Sequence, residues 1–390
     1  TFIYVFGIYL SMPTKYEVFA AIIEKAPCTE KQLGFSVRVQ RQLRDLKDQG
    51  WVKSIDSKYI PEKNETTLQA FGIIKYCMKN NLDYNIFFSK NMPLVLEDLY
   101  ANSPDIRPKK LKGNKDILNL LRYLQDHQFI LVAQKRPARG CILRHQLLEH
   151  LESYFSLHRK SPGFMPLVSR DDILKIDRVI LNPFGEETFS FLAGNAQLEG
   201  ATVSEGETRE LIVSDIYPDK PAKDIQMVKN LNEALHYVIV HLEEEITTQH
   251  IKDINRIVMF GLHRNAGEYK RNQNKIQGNL NFNTTPVSGV PQAMKQYCAT
   301  LNDLKSRGRV LDDLGLLHNQ LQRIHPFSDG NSRTTRMVVN WMLARHHLPI
   351  LVLKMGSFDE YMSLTKMSSA RDDERLKLLM WSLLWHEWLG

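Results

Sequence analysis

His325-Pro326-Phe327-Ser328-Asp329-Gly330-Asn331-Ser332-Arg333-Thr334-Thr335-Arg336 runs directly into the apolar stretch Met337-Val338-Val339-Asn340-Trp341-Met342-Leu343-Ala344. The apolar stretch predicts a helix, and the polar residues before it predict a loop feeding that helix's N-terminus. The free N–H groups of a first helical turn, together with the helix dipole, attract phosphate. Gly330-Asn331 permits the positive-φ or crowded backbone that a phosphate-cradling nest needs. Asp329 beside such a nest suits a Mg²⁺ that bridges phosphates. Arg333 and Arg336 lie three apart on one helix face, so both forks can reach one polyphosphate. His325, at the loop's other end, is placed to take a proton from an incoming hydroxyl. The chemistry that fits is transfer of part of a nucleotide onto a hydroxyl.

The segment resembles the signature of the Fic family, His-Pro-Phe-x-Asp-Gly-Asn-Gly-Arg-x-x-Arg. Eight of the nine specified positions match, and Ser332 stands where the family usually has glycine. A Cβ there narrows the nest, or its hydroxyl adds a donor to a phosphate oxygen. The resemblance continues over residues 170–388. A helix is expected from Lys223 to Leu242 and another from Thr248 to Leu262. Ala266-Gly267-Glu268-Tyr269-Lys270-Arg271 resembles the family's turn into a β-hairpin flap at about 271–283, with Gly278 near its tip. In the family that flap pairs with an extended target segment, which positions a hydroxyl through main-chain bonds. Pro291-Gln292-Ala293-Met294 opens the next helix. His263 and His318 lie nearby without an evident partner.

Asn195-Ala196-Gln197-Leu198-Glu199-Gly200 resembles the family's inhibitory helix, Ser/Thr-x-x-x-Glu-Gly, with Asn195 replacing the hydroxyl residue. The resemblance implies an ion pair between Glu199 and the second signature arginine, here Arg336, in the place of the ATP γ-phosphate. One guanidinium fork cannot serve a carboxylate and a phosphate together. The family further implies protein adenylyl transfer from Mg²⁺–ATP to a Tyr, Thr or Ser hydroxyl, with His325 as base and Asp329 on the metal. Gly330, Asn331 and Ser332 would attend the α-phosphate, Arg333 the β-phosphate and Arg336 the γ-phosphate, while Asn340 matches a position that contacts adenine. Phe327 reads as a core anchor for the loop. Another donor, or removal of AMP, is the enzymatic alternative. A DNA-binding regulator with a nucleotide-sensing Fic domain is the non-enzymatic one.

The chain has 390 residues, 43% apolar and 24% charged, which fits a globular protein of two or three domains. Cys28, Cys77, Cys141 and Cys298 form no CxxC, which suggests neither zinc nor a disulfide framework and fits a reducing cytoplasm. The apolar start, residues 1–11 before Met12, is too short to span a bilayer and reads as an upstream extension. The net charge of +7 is uneven: residues 1–160 hold 25 Lys+Arg against 16 Asp+Glu, and the remainder holds 26 against 28. An acidic partner for the N-terminal part is therefore expected, double-stranded DNA first.

Residues 14–60 have the rhythm of a winged helix. A first helix carries Tyr16, Val18, Phe19, Ile22 and Ile23 at helical spacing, and a short capped segment follows at 29–33. A second helix, from about Ser36 to Gln49, turns Val37, Leu43 and Leu46 inward and Arg38, Arg41, Arg44 and Lys47 outward, and Gly50 ends it. Residues 51–60 alternate around Asp56-Ser57 as a hairpin wing. Helices are expected around 67–80, 92–100, 115–126 and 145–155, a strand at 129–133, and a basic turn at 135–140. The expected chain is mainly α. It comprises a winged-helix-like α+β domain at 12–65, a mixed α/β connecting domain at 66–165, and a Fic-type helical bundle with a flap at 170–388. A homodimer is a further expectation, drawn from both families.

Overall fold

A computed structural model of the chain describes residues 12–106, 114–274, 283–365 and 371–389. Among these residues the fold is mainly helical, with seventeen α-helices and two antiparallel two-stranded sheets. The expected flap lies largely outside them, as do Gly278 and residues 1–11. None of the described helices is long and apolar enough to cross a membrane. Two compact units divide the chain: residues 1–93 with 147–158, and residues 94–146 with 159–390. Residues 66–165 are thus shared between the units.

In the first unit, α1 (Lys15–Lys25) starts at Thr14, whose side chain caps Glu17 while Glu17 caps Thr14 in return. α2 (Gln40–Asp48) begins later than its apolar spacing suggests. The Glu30 carboxylate accepts the Val39 N–H at 3.1 Å and holds 35–39 out of the helix. Leu43 and Leu46 are buried, while Arg38, Arg41, Arg44 and Lys47 are exposed. β1 (Val52–Ile55) and β2 (Lys58–Pro61) pair through a two-residue turn in which Asp56 and Ser57 both have positive φ. Asp56 is of a type that adopts that backbone readily, and the turn matches the twist of the strands. α3 (Glu65–Lys79), the short α4 (Tyr84–Phe87) and α7 (Gln146–Tyr154) complete the unit. Its core is aromatic: Tyr16 stacks on Phe88 at 4.5 Å, and Trp51 meets Phe19 at 4.9 Å.

α5 (Met92–Asn102) carries the chain into the second unit, where α6 (Lys115–Asp126) precedes a hairpin of β3 (Ile130–Gln134) and β4 (Arg139–Ile142). The sequence reading of 135–140 as a basic turn missed β4. Gly140 permits the pairing, because a Cβ there would sit 2.2 Å from the Leu131 carbonyl oxygen. Then follow α8 (Arg170–Leu174), α9 (Glu186–Gln197), α10 (Glu205–Ser214), α11 (Ala222–Val240), α12 (Thr248–Val258), α13 (Val290–Asp303), α14 (Arg307–Ile324), α15 (Asn331–Arg345), α16 (Phe358–Leu364) and α17 (Asp373–Leu389). α12 stops four residues before the expected Leu262, and the left-handed Gly261 follows it. α15 is buried along 331–344, as befits a helix packed by α9, α11, α12 and α14. Gly194 and Gly315 allow close approach on α9 and α14, since a Cβ at either would lie 2.2 Å from a backbone oxygen. All four cysteines are free and buried.

Candidate functional site

The buried α15 carries seven polar side chains between Asn331 and Asn340, and most have identifiable partners. Asn331 closes the loop onto its own start: its Oδ1 accepts from the Phe327 N–H at 3.0 Å, and its Nδ2 donates to the Phe327 carbonyl at 2.8 Å. Thr335 donates to the Asn331 carbonyl. Thr334 accepts from Asn255 on α12, whose Nδ2 also donates to the Asp329 carbonyl and whose Oδ1 accepts from the Gly267 N–H. Asn255 thereby ties the loop, the helix and the turn before residues 275–282 together. Phe327 is buried and bridges Tyr269, while the Lys270 N–H donates to the Pro326 carbonyl. Gly330 is left-handed at φ +75°, and a Cβ would overlap Met259 at 2.6 Å. No other residue fits this turn without strain.

Arg333 breaks the pattern of satisfied groups. It is 5% exposed, its Nη2 lies 3.6 Å from Asp329 Oδ1, and its buried Nε and Nη1 donate to nothing among the described residues. Desolvation lowers its pKa, offset in part by the charges of Glu199 and Asp329. An arginine stays charged regardless. A buried cation with unused donors is costly unless an anion meets it. Asp329 itself reaches solvent, accepting from the Gly330 N–H at 2.6 Å through Oδ1. The N–H groups of Asn331, Ser332 and Arg333 form the first turn of α15 and have no acceptor within the helix.

Arg336 is fully engaged. Its Nη2 meets Glu199 Oε1 at 2.7 Å, and its Nε donates to Asn195 Oδ1 at 2.6 Å. Burial opposes its charge, but Glu199 and Tyr361 outweigh that penalty and raise its pKa. Behind Arg336 runs a directional chain. The Asn319 Oδ1 that faces His318 Nδ1 can only accept, so Nδ1 carries the ring proton. His318 Nε2 then accepts from the Tyr361 hydroxyl at 2.7 Å, and the Tyr361 oxygen accepts from Arg336. Asn319 ends the chain on the Leu364 carbonyl and Asp373. His325 caps α14 with φ +48°, and its Nδ1 lies 3.3 Å from the Gln322 carbonyl. That contact puts the ring proton on Nδ1 and the lone pair on Nε2.

Residues 245–343 match the model of the Fic/DOC family, and that span contains the whole loop and nearly all of α15. The chain carries a Fic domain. A protein adenylyltransferase Fic of Nematostella vectensis is 28% identical over 186 residues, 45% of this chain and 42% of that protein. Its counterpart in Drosophila erecta is 26% identical over 193 residues, 48% and 38% respectively. The chain thus spans less than half the length of these relatives. The solved Fic-1 of C. elegans is 18% identical, with a TM-score of 0.45 over 89% of this chain and 90% of that one.

The structure brings Arg336, Arg333 and Asp329, which lie in the matched span, together with Asn195 and Glu199, which precede it, at one end of α15. Asn340 stands elsewhere: its amide pairs on both sides with the Leu351 backbone, at 2.6 and 3.2 Å, and holds that segment to the helix. Sequence reading missed Asn255 and the partner of His318. A signal was present at Asn255 and at His318, because each is a polar residue inside an apolar helical stripe: Ile251, Ile254, Asn255 and Val258, and Leu311, Leu314, His318 and Leu321. Tyr361, 43 residues from His318, could not be paired with it from spacing. His263 accepts from the Asn265 N–H and takes no part in the site.

Proposed function

We propose that the Fic domain transfers AMP from Mg²⁺–ATP to a Tyr, Thr or Ser hydroxyl of a protein, and that Glu199 restrains the reaction. The observation that carries this reading is Arg333, a buried guanidinium in the first turn of α15 whose Nη2 faces Asp329 while its Nε and Nη1 are unused among the described residues. That donor set fits a polyphosphate. His325 Nε2 takes the proton of the incoming hydroxyl, whose oxygen bonds to the α-phosphorus as the bond to pyrophosphate breaks. The N–H groups of Asn331 and Ser332 in the first turn of α15, with that of Gly330 at its N-cap once it leaves Asp329, stabilise the charge that develops on the α-phosphate. Arg333 binds the β-phosphate, and Arg336 binds the γ-phosphate once Glu199 leaves it. Asp329, partly exposed and adjacent, would hold a Mg²⁺. The metal would neutralise charge between the phosphates.

Incubation with Mg²⁺ and ATP labelled at the α-phosphate tests this. Glu199→Gly should label protein well above wild type, and the Glu199→Gly/His325→Ala double variant should lose the label while still binding ATP. No label in any variant that binds nucleotide would sink AMP transfer.

The first unit supports a separate reading: contact with duplex DNA. Arg38, Arg41, Arg44 and Lys47 project to solvent from one helix and its approach, next to the β1–β2 hairpin. Duplex binding driven by phosphate contacts should weaken steeply between roughly 50 and 200 mM salt. A gel shift that is absent at low salt would remove this reading.

A further inference from the structure

The turn between α11 and α12 gathers three side chains that adenylyl transfer does not use. His241 caps α11, Glu244 follows in the turn, and His250 lies in the first turn of α12. His241 Nδ1 is 2.9 Å from Glu244 Oε1, and His250 Nε2 is 3.6 Å from Glu244 Oε2. One ligand atom from each lies within 4.8 Å of the others. Around a tetrahedral zinc with bonds near 2.05 Å, ligand atoms stand about 3.3 Å apart. The two observed separations bracket that value. We propose that His241, Glu244 and His250 form a binding site for a zinc-type divalent cation, with water in the fourth position.

The turn is fixed by its surroundings rather than by the three side chains alone. Trp341 and Arg345 of α15 both donate to the Leu242 carbonyl, and Arg345 also donates to the Glu244 carbonyl. Asn302 of α13 exchanges two bonds of 2.9 Å with the Ile246 backbone. His250 leans on Trp341 at 5.5 Å, and His241 on Tyr237 at 4.4 Å. Glu243 and Glu245 flank Glu244 and add negative charge, while the cation of Arg345 is engaged with carbonyls. Two imidazoles select a borderline metal over Mg²⁺. The proton balance is simple. The Thr247 N–H donates to His250 Nδ1 at 3.3 Å in the metal-free form. Binding through Nε2 moves that ring's proton to Nδ1, and the ring shifts off the Thr247 N–H, which lies at an exposed residue and is met by water. His241 likewise moves its proton from Nδ1 to Nε2, so neither neutral ring releases a proton.

This site is separate from the Mg²⁺ of the proposed reaction. The turn rests on the Arg345 end of α15, and the fifteen-residue helix spans about 21 Å to Asn331. A metal here joins the end of α11 to the start of α12, the helix that carries Asn255.

The test uses the full chain, stripped with chelator and titrated with Zn²⁺ by calorimetry, with Co²⁺ absorption as a second probe of geometry. One equivalent should bind, the Tm should rise with Zn²⁺ concentration, and Co²⁺ should give a tetrahedral spectrum. Glu244→Gln and His241→Gln, each checked for native circular dichroism, should lose that equivalent. Asp329→Asn should keep it. The chain has 13 histidines, so zinc retained by both turn variants would place the metal elsewhere and overturn the proposal. Absence of a bound equivalent in the wild type, or its loss in Asp329→Asn, would do the same.

Discussion

Arg336 and Arg333 stand one helical turn apart and differ in what surrounds them. Arg336 has a carboxylate, an amide oxygen and a phenol as acceptors, whereas Arg333 keeps two buried donors unused. The sequence placed both on one face and identified Glu199 as the acid opposite Arg336, through resemblance to a family motif. It did not expose the chain behind Arg336, because Tyr361 and His318 meet only when α16 packs on the core. That chain has a measurable consequence. Tyr361→Phe removes an acceptor from Arg336 and a donor from His318 at once, both in fully buried positions. The expected loss is about 1–3 kcal/mol of unfolding free energy by denaturant titration. A loss below about 0.5 kcal/mol would mean that the phenol is not in the chain.

At the scale of elements, long periodic segments were the easiest to read. Lys115–Asp126 formed at the bounds expected, and Ala222–Val240 and Val290–Asp303 formed close to theirs. Errors fell where one distant atom decided the outcome. Glu30 delays α2 by capping Val39, and Gly140 turns a basic loop into a strand by admitting the Leu131 carbonyl. Neither contact has a local pattern. The loop before α15 was legible for the opposite reason: Gly330, Asn331 and Asp329 make their bonds within five residues. Gly330→Ala should therefore be harmful. The left-handed backbone costs about 1–2 kcal/mol for a residue with a Cβ, and Met259 must also give way. Denaturant unfolding should show at least that loss, and adding Met259→Ala should recover part of it. Unchanged stability would show that the turn is not held at positive φ.

Over the whole molecule, charge and hydrophobic pattern speak about different things. The basic excess of residues 1–160 bears on partners rather than on fold. The cores are separate, one built on Trp51 and Phe19 and the other on α14, α15 and α17. The pairing of Glu199 with Arg336 has a consequence beyond the site itself. Two ligands that compete for one arginine are thermodynamically linked, and the linkage is symmetric. Whatever Glu199 subtracts from the affinity of an anion at Arg336, that anion subtracts from the attachment of Glu199. The end of α9 is then a reporter of occupancy: its grip on the bundle weakens in proportion to how well the anion is held.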